Sequence, residues 1–485
     1  MKIMLAYPPI ESNKGIPLLS QNRQFQFFHN PTYIFPVVPA SAATLLQSKG
    51  YEVLWKDGIA ENLSQEQFYK YFSEQNPDLI AIETKTPVIK QQWKIVNELK
   101  KINPDCRIVL MGDHVTALPQ ESLKNSNADF ILLGGDYDFA LAELCDALEN
   151  KKKIPRGFTY RKGKKIISTG KFQLQHKLDE LPFIDRELTK WKLYQREYNI
   201  KGRPYTYIMS ARDCPWHSCK FCAWPVLFPK FRTRSVKNVL DEIELLVEKY
   251  HVKEIFDDAG TFPANPPGKW LEDFCKGMRK RKLNEKIDYS CNMRADYLTE
   301  KNAKLMSEAG FRLLKMGLES ANQYTLDRID KGIKVEQISQ ACRDAKKYGL
   351  TVHLTMIVGY PWETRQDALN TLKLAKFLMQ KGYADVLQST VLISYPGTAL
   401  WKEAMQKKWF TINPEDYEKY DMSKPILKTP MPEEEVMQIC NSIYRIFLTP
   451  QYIYQRIKSI RDFDDLLFIL RGARAVFGHL QDFSR

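Results

Sequence analysis

At 485 residues, with 44% hydrophobic and 27% charged residues, the chain has the balance of a folded protein of roughly two to four domains, neither disordered nor membrane-embedded. No apolar run is long enough to span a bilayer, and the N-terminus MKIMLAYPPIE lacks a signal peptide's longer apolar core and small-residue cleavage site, so a cytoplasmic location is expected. The net charge of +14 raises nucleic acid as a partner, but the largest basic concentration, residues 151–171, reads as two short β segments around Lys162-Gly163-Lys164 with lysines on the solvated side. No recognised nucleic-acid module accompanies it, and no nucleic acid is expected.

Residues 1–150 alternate strand and helix patterns. KIMLAYPP reads as a strand, VVPASAATLLQSKG as a helix closed by Gly50, and YEVLWKDG as a second strand. A helix around SQEQFYKYFSEQ precedes strand DLIAIET, helix KQQWKIVNELKKIN, strands RIVLMGD and DFILLGG, and helix ALAELCDALEN. This alternation predicts an α/β fold with a doubly wound parallel sheet, whose ligands bind beyond the carboxyl ends of the strands. Those ends carry Tyr7-Pro8-Pro9, Asp57-Gly58, Glu83-Thr84-Lys85-Thr86, Gly112-Asp113-His114 and Gly134-Gly135-Asp136.

Residues 151–203 read as the hairpin and a connector containing LDELPFIDRE. From 204 to 410 a second series follows: strands YTYIMSA, EIFDDAG, DYSCNMR, LLKMGLES, TVHLTMIVGYP and VLQSTVLISYPG, separated by five helical patterns. Six strands and five helices predict an open (β/α)6 barrel with its site at the strands' carboxyl ends. The tail, residues 411–485, reads as helical.

Nine cysteines are present, and six of them (Cys106, Cys145, Cys275, Cys291, Cys342, Cys440) stand singly in apolar or helical sequence, as buried small hydrophobes of a reducing compartment do. The other three, Cys214, Cys219 and Cys222, fall in one loop directly after the first barrel strand. Three thiolates suit a soft metal centre. A structural zinc site wants a fourth ligand, which His217 inside the loop offers, so zinc stays open as an alternative. A [4Fe–4S] cluster held by three thiolates leaves one iron open for a substrate or cofactor.

The loop Arg212-Asp-Cys214-Pro-Trp-His-Ser-Cys219-Lys-Phe-Cys222 after a barrel strand resembles the signature of the radical S-adenosylmethionine (SAM) superfamily, over about residues 204–400. The resemblance implies a [4Fe–4S] cluster on Cys214, Cys219 and Cys222, SAM bound through its amino and carboxylate groups to the open iron, reductive cleavage to a 5′-deoxyadenosyl radical, and an electron-donating flavodoxin or ferredoxin. The family spaces its first two cysteines by three residues; here there are four, the extra one absorbed as a bulge. It also implies SAM contacts at later strand ends. Asp257 and Asp258 suit the ammonium group, Arg294 a carboxylate, Glu319 the position of a SAM-contacting glutamate, and Gly359 a backbone lying against the adenine. Helix capping, surface ion pairs and a simple turn are the ordinary alternatives for these residues.

Residues 1–150 resemble the cobalamin-binding domains fused to such barrels, through Pro8-Pro9, the Pro39-Ala-Ser-Ala-Ala-Thr-Leu-Leu helix, Asn76-Pro77-Asp78, Gly112-Asp113-His114 and Gly134-Gly135-Asp136-Tyr137-Asp138. The resemblance implies cobalamin near Pro8, Gly112, His114 and Gly134. No Asp-x-His-x-x-Gly run supplies an axial histidine, so cobalamin is expected without one, and His114 stands between a place near the corrin and a turn role. Phe221-Cys222-Ala223-Trp224-Pro225, Arg232-Thr-Arg234-Ser235-Val236 and Phe256-Asp257-Asp258 look most like the branch associated with hopanoid lipid biosynthesis.

The resemblance thus implies a cobalamin-dependent enzyme that modifies an unactivated carbon of a small-molecule or lipid substrate, by methyl transfer or by ring closure or contraction. A nucleic-acid-modifying radical enzyme and a non-catalytic cobalamin sensor stay open as alternatives. In the tail, Ile453, Ile457, Ile460, Leu466, Leu467, Ile469, Leu470 and Val476 interleave with Arg456, Lys458, Arg461, Arg471 and Arg474. This pattern reads either as an amphipathic cap on the barrel or as peripheral contact with the inner membrane surface.

Overall fold

The computed structural model describes residues 1–19, 25–28, 32–196, 199–264, 269–460 and 463–482, with side chains as far as Ala473. Arg461, Arg474 and Val476 of the tail pattern therefore lie outside the described side chains.

The first four strand patterns become β1 (Lys2–Tyr7), β2 (Glu52–Asp57), β3 (Leu79–Thr84) and β4 (Arg107–Gly112), which join β5 (Phe130–Leu132) in a parallel sheet of order β2-β1-β3-β4-β5. β3 is buried at every position, as a strand covered by helices on both faces must be. The order reverses between β1 and β3, where doubly wound sheets open a ligand crevice. The basic segment forms the hairpin β6 (Phe158–Lys162) and β7 (Lys165–Ser168), which continues the same sheet antiparallel to β5. Lys162, Lys164 and Lys165 are exposed on it.

The second sheet contains β8 (Tyr205–Ile208), β9 (Glu254–Asp257), β10 (Asp288–Met293), β11 (Phe311–Glu319), β12 (Thr351–Val358) and β13 (Val386–Val391), parallel and in sequential order. Helices lie between successive strands, and Ser235, Thr299 and Thr364 cap three of them by accepting the backbone N–H three residues on. The sheet is open, since β8 and β13 end it without pairing to each other.

The C-terminal helices bridge that opening. At the β13 edge the Asp385 carboxylate accepts from Arg456 at 2.8 Å and its carbonyl from Tyr452 at 2.9 Å. On the β8 side, Lys201 pairs with Asp465 at 2.8 Å, and Arg471 donates to the carbonyls of Ile200 and Lys201 at 3.2 Å each. The tail is not helical from 411 as expected. Pro414, Pro425, Pro430 and Pro432 remove donors, and apart from one turn at Tyr417–Lys419 the chain runs irregularly, with an antiparallel bridge between Phe410 and Leu427. Helices begin at Glu433–Ser442 and continue as Pro450–Lys458 and Phe463–Asp482.

The two sheets are joined by a buried ionic network. Arg212, just after β8, pairs with Asp136 and with both oxygens of Asp138, residues that begin the helix Tyr137–Glu149 after β5. Arg232 donates to the two oxygens of Asp136 at 2.7 and 2.8 Å. Burial works to lower the pKa of the Arg212 guanidinium, but the charges of Asp138 and Asp136 outweigh it and the shift is upward. Truncating one partner of such a network strands a buried charge, so Arg212→Met is expected to cost about 3 kcal/mol or more. The check is the apparent urea midpoint by circular dichroism, with a smaller drop expected for Arg232→Met.

Candidate functional site

The loop carrying the three cysteines starts and ends on the same short ladder: Ala211–Arg212 pairs antiparallel with Arg232–Thr233. Between these ends the loop is pinned by several neighbouring segments. The N–H of Lys220 donates to the Ile329 carbonyl at 2.9 Å, and the N–H of Leu400 to the Lys220 carbonyl at 2.8 Å. Trp216 Nε1 donates to the Asp330 carbonyl at 2.6 Å, and its ring lies under the Arg294 guanidinium at 4.9 Å. Gly260, after β9, approaches so closely that an added Cβ would fall 2.5 Å from the Asp213 carbonyl oxygen.

Asp213 and His217 both have positive φ, 72° and 54°, and their side chains are hydrogen-bonded to each other. His217 is held by Asp213, and among the described residues no three His, Cys, Asp or Glu converge tightly enough to hold a single metal ion. The three thiols instead line one cavity of about 200 Å³ at the carboxyl end of the second sheet.

The cavity wall contains Asp258, Asn292, Arg294, Gly317, Glu319 and Lys331. Asn292 reaches Asp258 at 3.4 Å and the Ala259 carbonyl at 3.0 Å. Arg294 donates to both oxygens of Asp296, at 2.9 and 3.1 Å, and to the Lys331 carbonyl at 2.9 Å. Lys331 Nζ donates to Glu319 at 2.8 Å, and this pair folds back over Gly317, where a Cβ would overlap the Glu319 carboxylate. Burial pulls the pKa of Lys331 down, but the charges of Glu319 and Cys219 prevail and raise it, so the ammonium is protonated. Burial also raises the Cys219 thiol, against the opposing charges of Lys331 and Arg294.

Two expected SAM contacts lie elsewhere. Asp257 is consumed by the scaffold: it accepts from the N–H groups of Ser210 and Ala259 at 3.1 Å and from the Tyr289 hydroxyl at 2.8 Å, and burial raises its pKa. Strand alternation turns it away from the cavity that Asp258 lines. Gly359 is also outside the cavity wall; its φ is +91°, and an added Cβ would press on Val436 of the C-terminal helix at 3.1 Å. The tail packs against it there.

The expected cobalamin contacts are likewise divided. Pro8 is buried at the end of β1. At Gly112 a Cβ would overlap the Thr84 carbonyl, so this glycine lets β4 approach β3. His114 is buried in the short helix Asp113–Ala117, with Nδ1 3.2 Å from the Thr86 hydroxyl, Nε2 3.3 Å from Glu121, and the Tyr417 ring 4.7 Å away edge-on. The imidazole is thus buried beneath the tail, close to Tyr417. Gly134 receives Thr116 as acceptor for its N–H at 3.1 Å, and the N–H of Gly135 donates to the Leu227 carbonyl at 2.8 Å. The glycine pair thus admits the segment that follows the cysteine loop.

Sequence reasoning missed Arg212 as the tie between sheets and Lys331 as the partner of Glu319. The arginine next to the cysteine loop was a signal for the first. Lys331 carries none, being brought in only by the fold.

Residues 208–375 match the radical SAM superfamily model, and residues 33–141 match the B12 binding domain model. Over 99% of its length the chain is 29% identical to an uncharacterized methyltransferase of Pyrococcus horikoshii, of which it covers 98%. It is 27% identical to the anaerobic magnesium-protoporphyrin IX monomethyl ester cyclase of Rubrivivax gelatinosus, over 88% of this chain and 77% of that one. A hopanoid C-3 methylase of Methylococcus capsulatus is 23% identical over 59% of this chain and 51% of its own. The fold is similar to the radical SAM methyltransferase TsrM of Kitasatospora setae, with a TM-score of 0.69 at 15% identity, covering 92% of this chain and 88% of that one.

The protein is a radical SAM enzyme with an N-terminal B12 binding domain, of the class that contains methyltransferases and cyclases. Its cofactors are a [4Fe–4S] cluster, SAM and cobalamin. The cysteine cavity suits the first two: three thiols spread around one space, protonated Lys331 and Arg294 beside them, and glycine where a side chain would intrude. The crevice between the first sheet's strand ends and the cysteine loop is a different matter. Glu83, Lys85, Asp113 and Tyr137 face Trp224 and Phe228 across about 20 Å³, and a corrin does not fit that space as its walls stand.

The three loop thiols are half-buried, whereas the other six are buried. Brief anaerobic alkylation of the cluster-free protein, followed by peptide mass spectrometry, is therefore expected to label Cys214, Cys219 and Cys222 well before the rest.

Proposed function

We propose that Cys214, Cys219 and Cys222 hold three irons of the cluster, and that the enzyme modifies an unactivated carbon of an apolar small-molecule or lipid substrate by methyl transfer or by ring closure or contraction. The adjacency of two cavities carries this reading. A second cavity of about 1180 Å³ lies between β13, the segment after β1 and the C-terminal helices, and it shares Ile34, Asn199, Lys315 and Met422 with the cysteine cavity. Its walls are mainly aliphatic and aromatic side chains such as Met437, Phe447, Ile453, Ile457 and Phe468. An apolar molecule of lipid size fits such a space, with one end before the cysteine loop.

Bound there, the cluster and SAM supply the one-electron chemistry that removes a hydrogen atom from an unactivated carbon. The chain's own residues do the rest. Asp258 and the Glu319–Lys331 pair offer charge to the amino-acid end of SAM, Arg294 with its remaining N–H groups to the carboxylate, and the tail helices keep water from the reacting centre. The electron is assigned to a flavodoxin or ferredoxin. The free state of all nine cysteines favours a reducing cytoplasmic setting.

No helix among the described residues is long and apolar enough to cross a membrane. The tail nevertheless exposes Leu448, Tyr454, Ile457, Phe463 and Leu470 beside the exposed cations Arg445 and Lys458. That combination suits an anionic bilayer surface, from which an apolar substrate would enter the cavity.

Replacing Cys214, Cys219 and Cys222 together by Ala is expected to abolish iron binding of about four per chain in the reconstituted protein, together with reductive SAM cleavage. Cleavage by the triple variant would refute the assignment. For the tail, flotation of the intact protein with vesicles containing anionic lipid is expected at low salt. A protein that stays folded and unbound there acts without the membrane.

A further inference from the structure

The cysteine cavity contains a buried polar group that neither the cofactor contacts nor the scaffold uses. His353 lies on β12 in register with Lys315 of β11 and Val386 of β13. Its side chain lines the cysteine cavity at 1% exposure, and neither ring nitrogen has a hydrogen-bond partner among the described residues. Lys315, beside it, lines both cavities, and Val386 and Gln388 line the larger one. His353 therefore stands where the cysteine cavity meets the apolar space.

A core position at this depth would be filled better by Leu or Phe, because a buried imidazole with unmet donor and acceptor carries a desolvation cost that an apolar side chain does not. Burial, and after it the charge of Lys315, hold the pKa of the imidazole well below its ordinary value, so the ring is neutral. A neutral imidazole has one N–H donor and one bare acceptor nitrogen. A hydroxyl group, which donates and accepts, is the matching partner; a carboxylate can satisfy only the N–H.

We propose that His353 contacts the substrate, holding by hydrogen bond the one hydroxyl of an otherwise apolar molecule whose body fills the larger cavity. The hydrogen bond sets how far the molecule enters, and so which carbon stands before the cysteine loop. This inference rests on the substrate reading above, and it adds a chemical class: an apolar alcohol.

The test uses the full-length protein with its cluster reconstituted, and 1-dodecanol, n-dodecane and dodecanoate as chain-matched probes competing against a fluorescent apolar dye. Dodecanol is expected to bind roughly fivefold to tenfold more tightly than dodecane, the worth of one net hydrogen bond. In His353→Leu the two are expected to bind alike, while thermal stability without probe stays level or rises, which a structural role for the imidazole would not allow. His353→Asn, which retains a donor and an acceptor, is expected to keep part of the preference. Equal binding of dodecanol and dodecane by the unaltered protein, absence of dodecanol binding, a preference surviving in His353→Leu, or tightest binding of dodecanoate would each overturn the proposal. Iron content and substrate-free SAM cleavage, measured on the same preparations, separate the two readings: if these are intact and the alcohol preference is missing, only the role of His353 falls.

Discussion

The geometry of this enzyme depends on a guanidinium taken out of water. Arg212 leaves β8 at the point where the cysteine loop begins, and its charge is met by Asp136 and Asp138 at the start of the helix after β5. A buried cation is tolerated only when its partners are held in place, so the network constrains both domains at once. Arg232, at the other end of the loop, closes on Asp136. The result brings the carboxyl ends of the first sheet against the cysteine loop, with Trp224 and Phe228 between them. The first sheet's strand ends and the cysteine loop, which belong to separate sheets, thereby share one border.

The second constraint follows from leaving a six-stranded sheet open. A closed barrel fills its interior with its own side chains, whereas an open one needs a wall along the gap between β8 and β13. Here the C-terminal helices provide it, anchored through Arg456 and Tyr452 on Asp385 and through Asp465 and Arg471 near Lys201. Because this wall is built of aliphatic and aromatic residues, the space behind it is apolar.

Adjacent residues in a strand serve different masters. Asp257 and Asp258 read as equivalent acceptors in the chain, yet one faces the backbone of Ser210 and Ala259 and the other faces the cavity. The period of two in a strand decides this. His114 and Gly359 show a related effect: each belongs to a motif at a strand's carboxyl end, and each is covered by the tail, through Tyr417 and Val436 respectively. A segment far along the chain covers each of these candidate positions.

The chain alone determined the strands and helices of both sheets, because their signals are local: apolar runs of strand length, amphipathic helices and capping residues such as Ser235 and Thr364. It also determined the cysteine loop, since the thiols are close in sequence and need no folding to be recognised as a group. Only the tertiary structure decided what surrounds that loop. Lys331 meets Glu319 across a turn and helix, Arg212 meets Asp138 from another domain, and His353 has no hydrogen-bond partner among the described residues at the junction of two cavities. Pairing between distant residues, and the burial that makes an unpaired group costly, are properties of packing and leave no periodic or compositional trace in the sequence.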